Sequence, residues 1–177
     1  MCMIKNKNIQ NIKKCKKIKL VLTDVDGVLT DGGRYYSKDG EILKKFHVRD
    51  GMGINILLRN NIKTIILTKE KSMITKKWAK DMNVFEVYSG LIKKEQVLTK
   101  ICKQYKVNLD EIAFIGDDVN DVEVLKKVGF TAVPNDSVFQ VKKIADLICK
   151  SSGGKGCFRE MSDLILLSKF STKTKWY

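Results

Sequence analysis

Two carboxylates one residue apart, Asp24 and Asp26, close an apolar run in the stretch IKLVLTDVDGVLTDGG. A pair of Asp side chains is a hard-oxygen site suited to Mg²⁺, which usually takes one or two carboxylates together with substrate phosphate. An Asp can also attack phosphorus and carry the phosphoryl group as an aspartyl-phosphate. Gly27 follows at once, and glycine lets the backbone turn sharply and approach a ligand closely. Asp and Gly also build ordinary turns, so this short string leaves both meanings open.

The elements that would position the pair decide between them. Short apolar runs bounded by Gly and Asp read as buried parallel strands. A first strand over 18–23 puts Asp24 and Asp26 at its C-terminal edge, where open α/β sheets bind ligands. Residues 34–46 read as a β-hairpin around the turn Ser37-Lys38-Asp39-Gly40. A helix over 50–60 follows, with Met52, Ile54, Leu57 and Leu58 on its apolar face and Asp50 as its N-cap.

A second strand over 63–67 ends at Thr68. A helix over 69–82 comes next, with Ser72 as an alternative N-cap, then a strand over 84–88. The pattern continues with a helix over 93–105, a turn at 108–110 and a strand over 112–115 ending at Gly116-Asp117-Asp118. Beyond it come a helix over 122–128 with Gly129 in the C′ position, a strand over 130–133, a short helix over 138–145 and a last strand over 146–149. Residues 151–156, rich in Ser and Gly, read as a flexible loop before a helix over 158–169. Strands alternating with helices predict an α/β fold with a doubly wound, mainly parallel sheet.

Composition bounds the partners. The chain has 177 residues, 44% of them hydrophobic, with a net charge of +14, so one domain with a real core is expected. No apolar run approaches the roughly 18 residues of a membrane span. The first 19 residues carry no acid but several Lys, and no apolar segment of a secretory signal follows. A cytoplasmic protein is expected. The 5 Cys are scattered without a CxxC pair, which argues against zinc and against a disulfide framework. The basic residues are overwhelmingly Lys, with Arg only at 34, 49, 59 and 159. Arg is the better reader of bases and phosphates, so nucleic acid is not the expected partner. A positive field also attracts anionic metabolites. Residues 1–17 read as a basic arm, either frayed or a short helix, 18–170 as the working domain and 171–177 as a tail.

Three predicted strands end in chemistry: Asp24 after the first, Thr68 at the second and Asp117-Asp118 after the fourth. Lys93-Lys94 opens the helix after the third. Parallel strands deliver these groups to one edge. Their types suit phosphoryl transfer, which needs an in-line nucleophile and neutralised equatorial oxygens. A carboxylate supplies the nucleophile, Mg²⁺ neutralises charge, and Lys and Thr hold the phosphate.

DVDGVLTDG, ILT, the Lys of GLIKKE and IGDDVND resemble the four motifs of the haloacid dehalogenase phosphatase superfamily. FHVRDGMGI and GGKGCFREMSDLIL resemble one branch of it, the 3-deoxy-D-manno-octulosonate 8-phosphate phosphatases and relatives acting on nine-carbon, sialic-acid-type 9-phosphates. The resemblance implies a Rossmann-like fold and an aspartyl-phosphate mechanism. Asp24 would be the nucleophile and Asp26 the general acid/base, its backbone carbonyl on Mg²⁺. Asp117 would complete the metal site beside Asp24 and Asp26, with Asp118 and Asp121 in support. Thr68 and Lys94 would bind the transferring phosphoryl group.

The gaps between motifs leave no room for a separate cap domain. Relatives in this branch cover the site as homotetramers, in which hairpins pack together and a neighbour's surface forms the roof. His47, Arg49 and Arg159 are therefore expected near substrate, a phosphorylated sugar acid. Glu70 stands where the octulosonate enzymes carry an Arg, an inversion of charge that resembles the nine-carbon branch. A catalytically silent tetramerisation domain, like the one appended to animal acylneuraminate cytidylyltransferases, is the alternative; it would be signalled by loss of the nucleophile or the acid, and both are present.

Overall fold

The computed structural model describes residues 2–176, with side chains from Ile9 onward. Its centre is a six-stranded parallel sheet in the order β5-β4-β1-β6-β7-β8. The strands are β1 (Leu20–Thr23), β4 (Lys63–Thr68), β5 (Glu86–Ser89), β6 (Ile112–Ile115), β7 (Phe130–Val133) and β8 (Leu147–Ile148). A separate antiparallel hairpin, β2 (Tyr35–Ser37) and β3 (Gly40–Leu43), follows β1. The helices are α1 (Cys2–Lys17), α2 (Val48–Arg59), α3 (Met73–Asp81), α4 (Leu98–Tyr105), α5 (Val122–Leu125), α6 (Phe139–Lys142) and α7 (Cys157–Phe170).

Side chains alternate across the sheet, and both faces are covered. Val21, Ile66, Ala113 and Ile115 face one way, against Ile54 and Leu57 of α2 and Phe158, Met161 and Ile165 of α7. Leu20, Leu22, Ile65, Leu67 and Phe114 face the other, against Ile101 of α4, Val124 of α5 and Val141 of α6. β1 is one of the two central strands, fully buried and paired on both sides. The chain winds outward from it in both directions, so the crevice for a ligand opens at the end of β1.

Five local expectations change. Asp50 is not the N-cap of α2; His47 is, its Nδ1 accepting from the Arg49 N–H at 3.2 Å. Asp50 instead lies fully buried one turn in, and its carboxylate accepts from the backbone N–H groups of Gly156 (3.1 Å) and Arg159 (2.9 Å). It thus caps α7 from another helix. α3 begins after Ser72, whose Oγ accepts from Thr75 N–H, so the alternative cap is the one used. The helix after Lys93 begins as a 3₁₀ turn over Lys94–Val97, which sets Lys94 apart from α4.

Gly129 is not a left-handed C′ residue, since α5 stops at Leu125 and Gly129 does not have positive φ. It is glycine because the Asp110 backbone lies against it. The Gly-rich segment after β8 is not a loose loop. Gly153 and Gly154 are buried against residues 27–31, where the Gly154 N–H donates to the Val28 carbonyl at 2.9 Å. A side chain at Gly153 would collide with the Gly27 carbonyl.

At the N-terminus the open question resolves as a helix. α1 packs against α7, burying Asn11 and Cys15. At the other end, the Asn60 side chain ties down the backbone at Lys175, with both of its polar ends engaged. No helix among the described residues is long and apolar enough to cross a membrane.

Candidate active site

β1 delivers Asp24 to the sheet edge, held by its own N–H to the Ile115 carbonyl at 3.0 Å. β4 ends at Thr68 and β6 leads into Asp117 and Asp118. These residues, with Asp26, Arg34, Lys69, Glu70, Val119 and Asn120, line one open cavity of about 330 Å³. Asp24 and Thr68 are nearly inaccessible, at 5% and 2% exposure, so they sit at the floor. Thr68 also accepts the Glu70 N–H at 3.2 Å, fixing the turn that follows.

Lys94 lies beneath the floor, fully buried. Its ammonium is 2.8 Å from Asp24 Oδ2 and 2.7 Å from Asp121 Oδ1. Burial alone would discharge it, but the two carboxylates outweigh burial and move its pKa up. A charged Lys here is therefore a fixed cation under Asp24. Asp121 does not face the cavity. Its second oxygen accepts from the Asp117 N–H at 3.0 Å and, more weakly, from Asp118 at 3.5 Å. Its role is to set Lys94 and the Asp117 backbone in place. Gly116 is required there, because a Cβ would overlap the Asp121 carboxylate.

One ligand oxygen from each of Asp24, Asp117 and Asp121 lies within 4.8 Å of the others. Burial first, and the Asp121 charge second, push the Asp24 carboxyl up to about 7. Burial and then the charges of Asp24 and Asp121 push Asp117 up to about 8. Carboxylates crowded this way carry more negative charge than Lys94 cancels. The donor set is all oxygen, and Asp26 Oδ2 is buried without a hydrogen-bond partner among the described residues. This environment fits a divalent hard cation. Both Asp121 oxygens are committed elsewhere, which leaves Asp117 and the Asp24 oxygen not held by Lys94 as the side-chain donors that could hold such an ion.

Three residues around the cavity, of which only Arg34 lines it, were not legible in the sequence. Lys44, directly after β3, is fully buried with its ammonium 2.6 Å from Asp26 Oδ1 and 3.3 Å from Glu41 Oε1. Glu41 accepts from Ser72 Oγ at 2.6 Å. Arg34 reaches Glu70 at 3.0 Å, Glu41 at 3.6 Å and Asp26 at 4.0 Å. The Glu70 pairing raises the Arg34 pKa, and the same contact lowers that of Glu70. In sequence Lys44 and Arg34 are two more basic residues of a basic chain; only the hairpin's fold-back brings them here.

His47, Arg49 and Arg159 do not line this cavity. Arg49 and Arg159 line a second depression of about 390 Å³ with Ser151, Lys155, Gly156, Glu160 and Asp163. Within it Arg159 pairs with Asp163 at 2.7 Å.

A family model for haloacid dehalogenase-like hydrolases matches residues 59–161. The 3-deoxy-D-manno-octulosonate 8-phosphate phosphatase of Haemophilus influenzae is 40% identical over 154 residues, which is 87% of this chain and 86% of that one. The crystal structure of the Yersinia pestis 3-deoxy-D-manno-octulosonate 8-phosphate phosphatase superposes with a TM-score of 0.89 at 31% identity, covering 92% of this chain and 88% of that one. That of the Moraxella catarrhalis enzyme, in complex with magnesium, phosphate and KDO, gives 0.87 at 32% identity over 90% and 92%.

Proposed function

The chain belongs to the haloacid dehalogenase-like hydrolase family, and on that premise we propose that it is a Mg²⁺-dependent phosphatase of 2-keto-3-deoxy sugar acids. Its substrate in this reading is 3-deoxy-D-manno-octulosonate 8-phosphate, the compound named for relatives that match nearly the whole chain. The observation that carries the reading is the convergence of Asp24, Asp26, Thr68 and Asp117 on one cavity with Lys94 locked beneath Asp24.

Asp24 attacks phosphorus with the oxygen not held by Lys94, and the bond to the sugar oxygen breaks. Asp26 gives that departing oxygen its proton. Asp26 then takes a proton from water as the water attacks the phosphoaspartate, which frees phosphate and restores Asp24. Lys94 and the Thr68 hydroxyl offset charge on the phosphoryl oxygens. Mg²⁺, held by Asp24, Asp117 and the Asp26 backbone carbonyl, would supply charge neutralisation for the nucleophile and the phosphoryl group. A catalytically silent role is disfavoured because every one of these side chains is present and engaged.

A nine-carbon 9-phosphate is the second reading, and the Glu70–Arg34 pair favours it. Glu70 replaces a cation of the octulosonate enzymes with an anion at the cavity wall, while Arg34 offers its guanidinium from a different direction. Phosphate release from octulosonate 8-phosphate and from a nonulosonate 9-phosphate, measured side by side, separates the two. Asp24→Asn should lower turnover of the preferred one by about 10⁴-fold or more with the fold intact; near-normal turnover would remove Asp24 as nucleophile.

A further inference from the structure

A separate cavity of about 430 Å³ opens at the opposite edge of the sheet, where β1 and β4 begin. Ile18, Leu20, Ile62 and Val107, all buried, give it an apolar floor, and Tyr105 and Phe170 add aromatic surface. Lys19, Lys63, Lys106 and Lys169 line it, and no carboxylate does. Among the described residues only Lys19 has an acidic partner, Glu111. Lys63 lies against the Phe85 ring, 3.8 Å from its centre. Lys169 donates to the Lys16 carbonyl at 3.1 Å, and burial first and the Lys19 charge second pull its pKa down.

Lysines near helix ends often do no more than offset the helix dipole. α2 and α4, which end here, already carry Arg59 and Lys103 in their last turns, and neither of these lines the cavity. Lys106 also has a local cost. It follows α4 in the left-handed conformation, at φ 53° and ψ 47°, where glycine is favoured and a Cβ is strained. A cation thus stands where backbone preference alone would put glycine.

We propose that this cavity binds an organic polyphosphate of nucleotide size, with its phosphates on Lys63, Lys106 and Lys169 and its body on the apolar floor. Lys binds phosphate as a point charge, and the volume lies within the range of small-molecule sites. An inorganic anion would use the cations and leave the floor uncovered. The cavity and the carboxylates of the active site lie at opposite edges of the sheet, so the proposal does not depend on the sugar-acid reading.

Calorimetric titration with ATP in the presence of chelator tests it. One ATP should bind per chain, more tightly than inorganic triphosphate by about 3-fold or more. Lys106→Gly and Lys169→Met should each weaken ATP binding by about 5-fold and leave turnover of p-nitrophenyl phosphate with Mg²⁺ unchanged. Lys106→Gly should also raise the melting temperature of the ligand-free chain, which keeps the test open if Lys169→Met fails to fold. Lys77→Met removes the same charge from an exposed site on α3, and Thr68→Val alters the catalytic cavity; both should bind ATP as the wild type does. No saturable binding, a loss with Lys77→Met equal to that with Lys106→Gly, or a loss with Thr68→Val alone would overturn the site. So would a Lys106→Gly chain that is less stable and binds ATP undiminished. Inorganic triphosphate binding as tightly as ATP would overturn the organic ligand. A chain that binds ATP here and cleaves no sugar-acid phosphate would keep this site and unseat the substrate reading.

Discussion

Asp24, Asp117 and Asp121 share so small a volume that their charges must be managed one at a time. Lys94 manages part of the charge. The rest shows in the carboxyl groups of Asp24 and Asp117, raised from an ordinary 3.8 to about 7 and about 8. Below about pH 4 each is protonated folded or unfolded, and neither affects stability. From there up to about pH 8 the folded state keeps protons that the unfolded chain has released, so stability falls as pH rises. The lowered carboxyls of Glu70, Glu111 and Glu123 act at the acidic end, outside that window. Metal-free protein should thus melt at a lower temperature at pH 8 than at pH 5. Added Mg²⁺ should raise the melting temperature more at pH 8, where it meets carboxylates already free of protons. Scanning calorimetry at the two pH values with and without Mg²⁺ measures both differences; equal melting temperatures in chelator would contradict the crowding. The carboxylates were readable in sequence because they stand next to one another at strand ends. Lys44 was not, because its partner is reached only after a hairpin folds back.

Asp50 joins two elements that no local pattern connects. The sequence places it at a helix start, where Asp is a good cap, and it does cap a helix start, but of α7 rather than of α2. The residue type signals the chemistry of capping; its target is set by tertiary packing of α2 on α7. The strands behaved differently. β6 and β7 match their expected limits, since four consecutive buried residues, apolar but for Thr131 and stopped by Gly116 or Pro134, leave little latitude. Asp50→Ala would strand two N–H groups at the N-terminus of α7 and should cost about 2–3 kcal/mol. That corresponds to a fall in melting temperature of roughly 4–12 °C. Asp50→Asn keeps one acceptor oxygen and should cost less. Thermal unfolding of both variants tests the order; an Ala variant as stable as wild type would show that α7 needs no cap from α2.

At the level of the whole molecule, the cavity stays open and the hairpin stays bare. Tyr35, Tyr36, Ile42 and Leu43 are all more than half exposed, an apolar cluster of the kind that marks association sites. An assembly of four chains through these hairpins would cover them and bring a neighbour over Asp24, and it would give Arg49 and Arg159 a use that a single chain does not show. Multi-angle light scattering should report four times the 20.2 kDa chain mass; a fully active monomer would dismiss the assembly. The parallel sheet and its active edge were open to sequence reasoning because each follows from periodicity within a segment. What covers that edge is a relation between surfaces, and one chain's pattern of residues does not encode it locally.

Gly153 and Gly154 press against the loop that carries Asp26, leaving no space for even a methyl group. The turn after Asp26 is therefore braced by a segment made more than a hundred residues later. A ribosome would release Asp24 and Asp26 long before Gly153 and Gly154, and the turn after Asp26 would gain its final shape only as α7 docks.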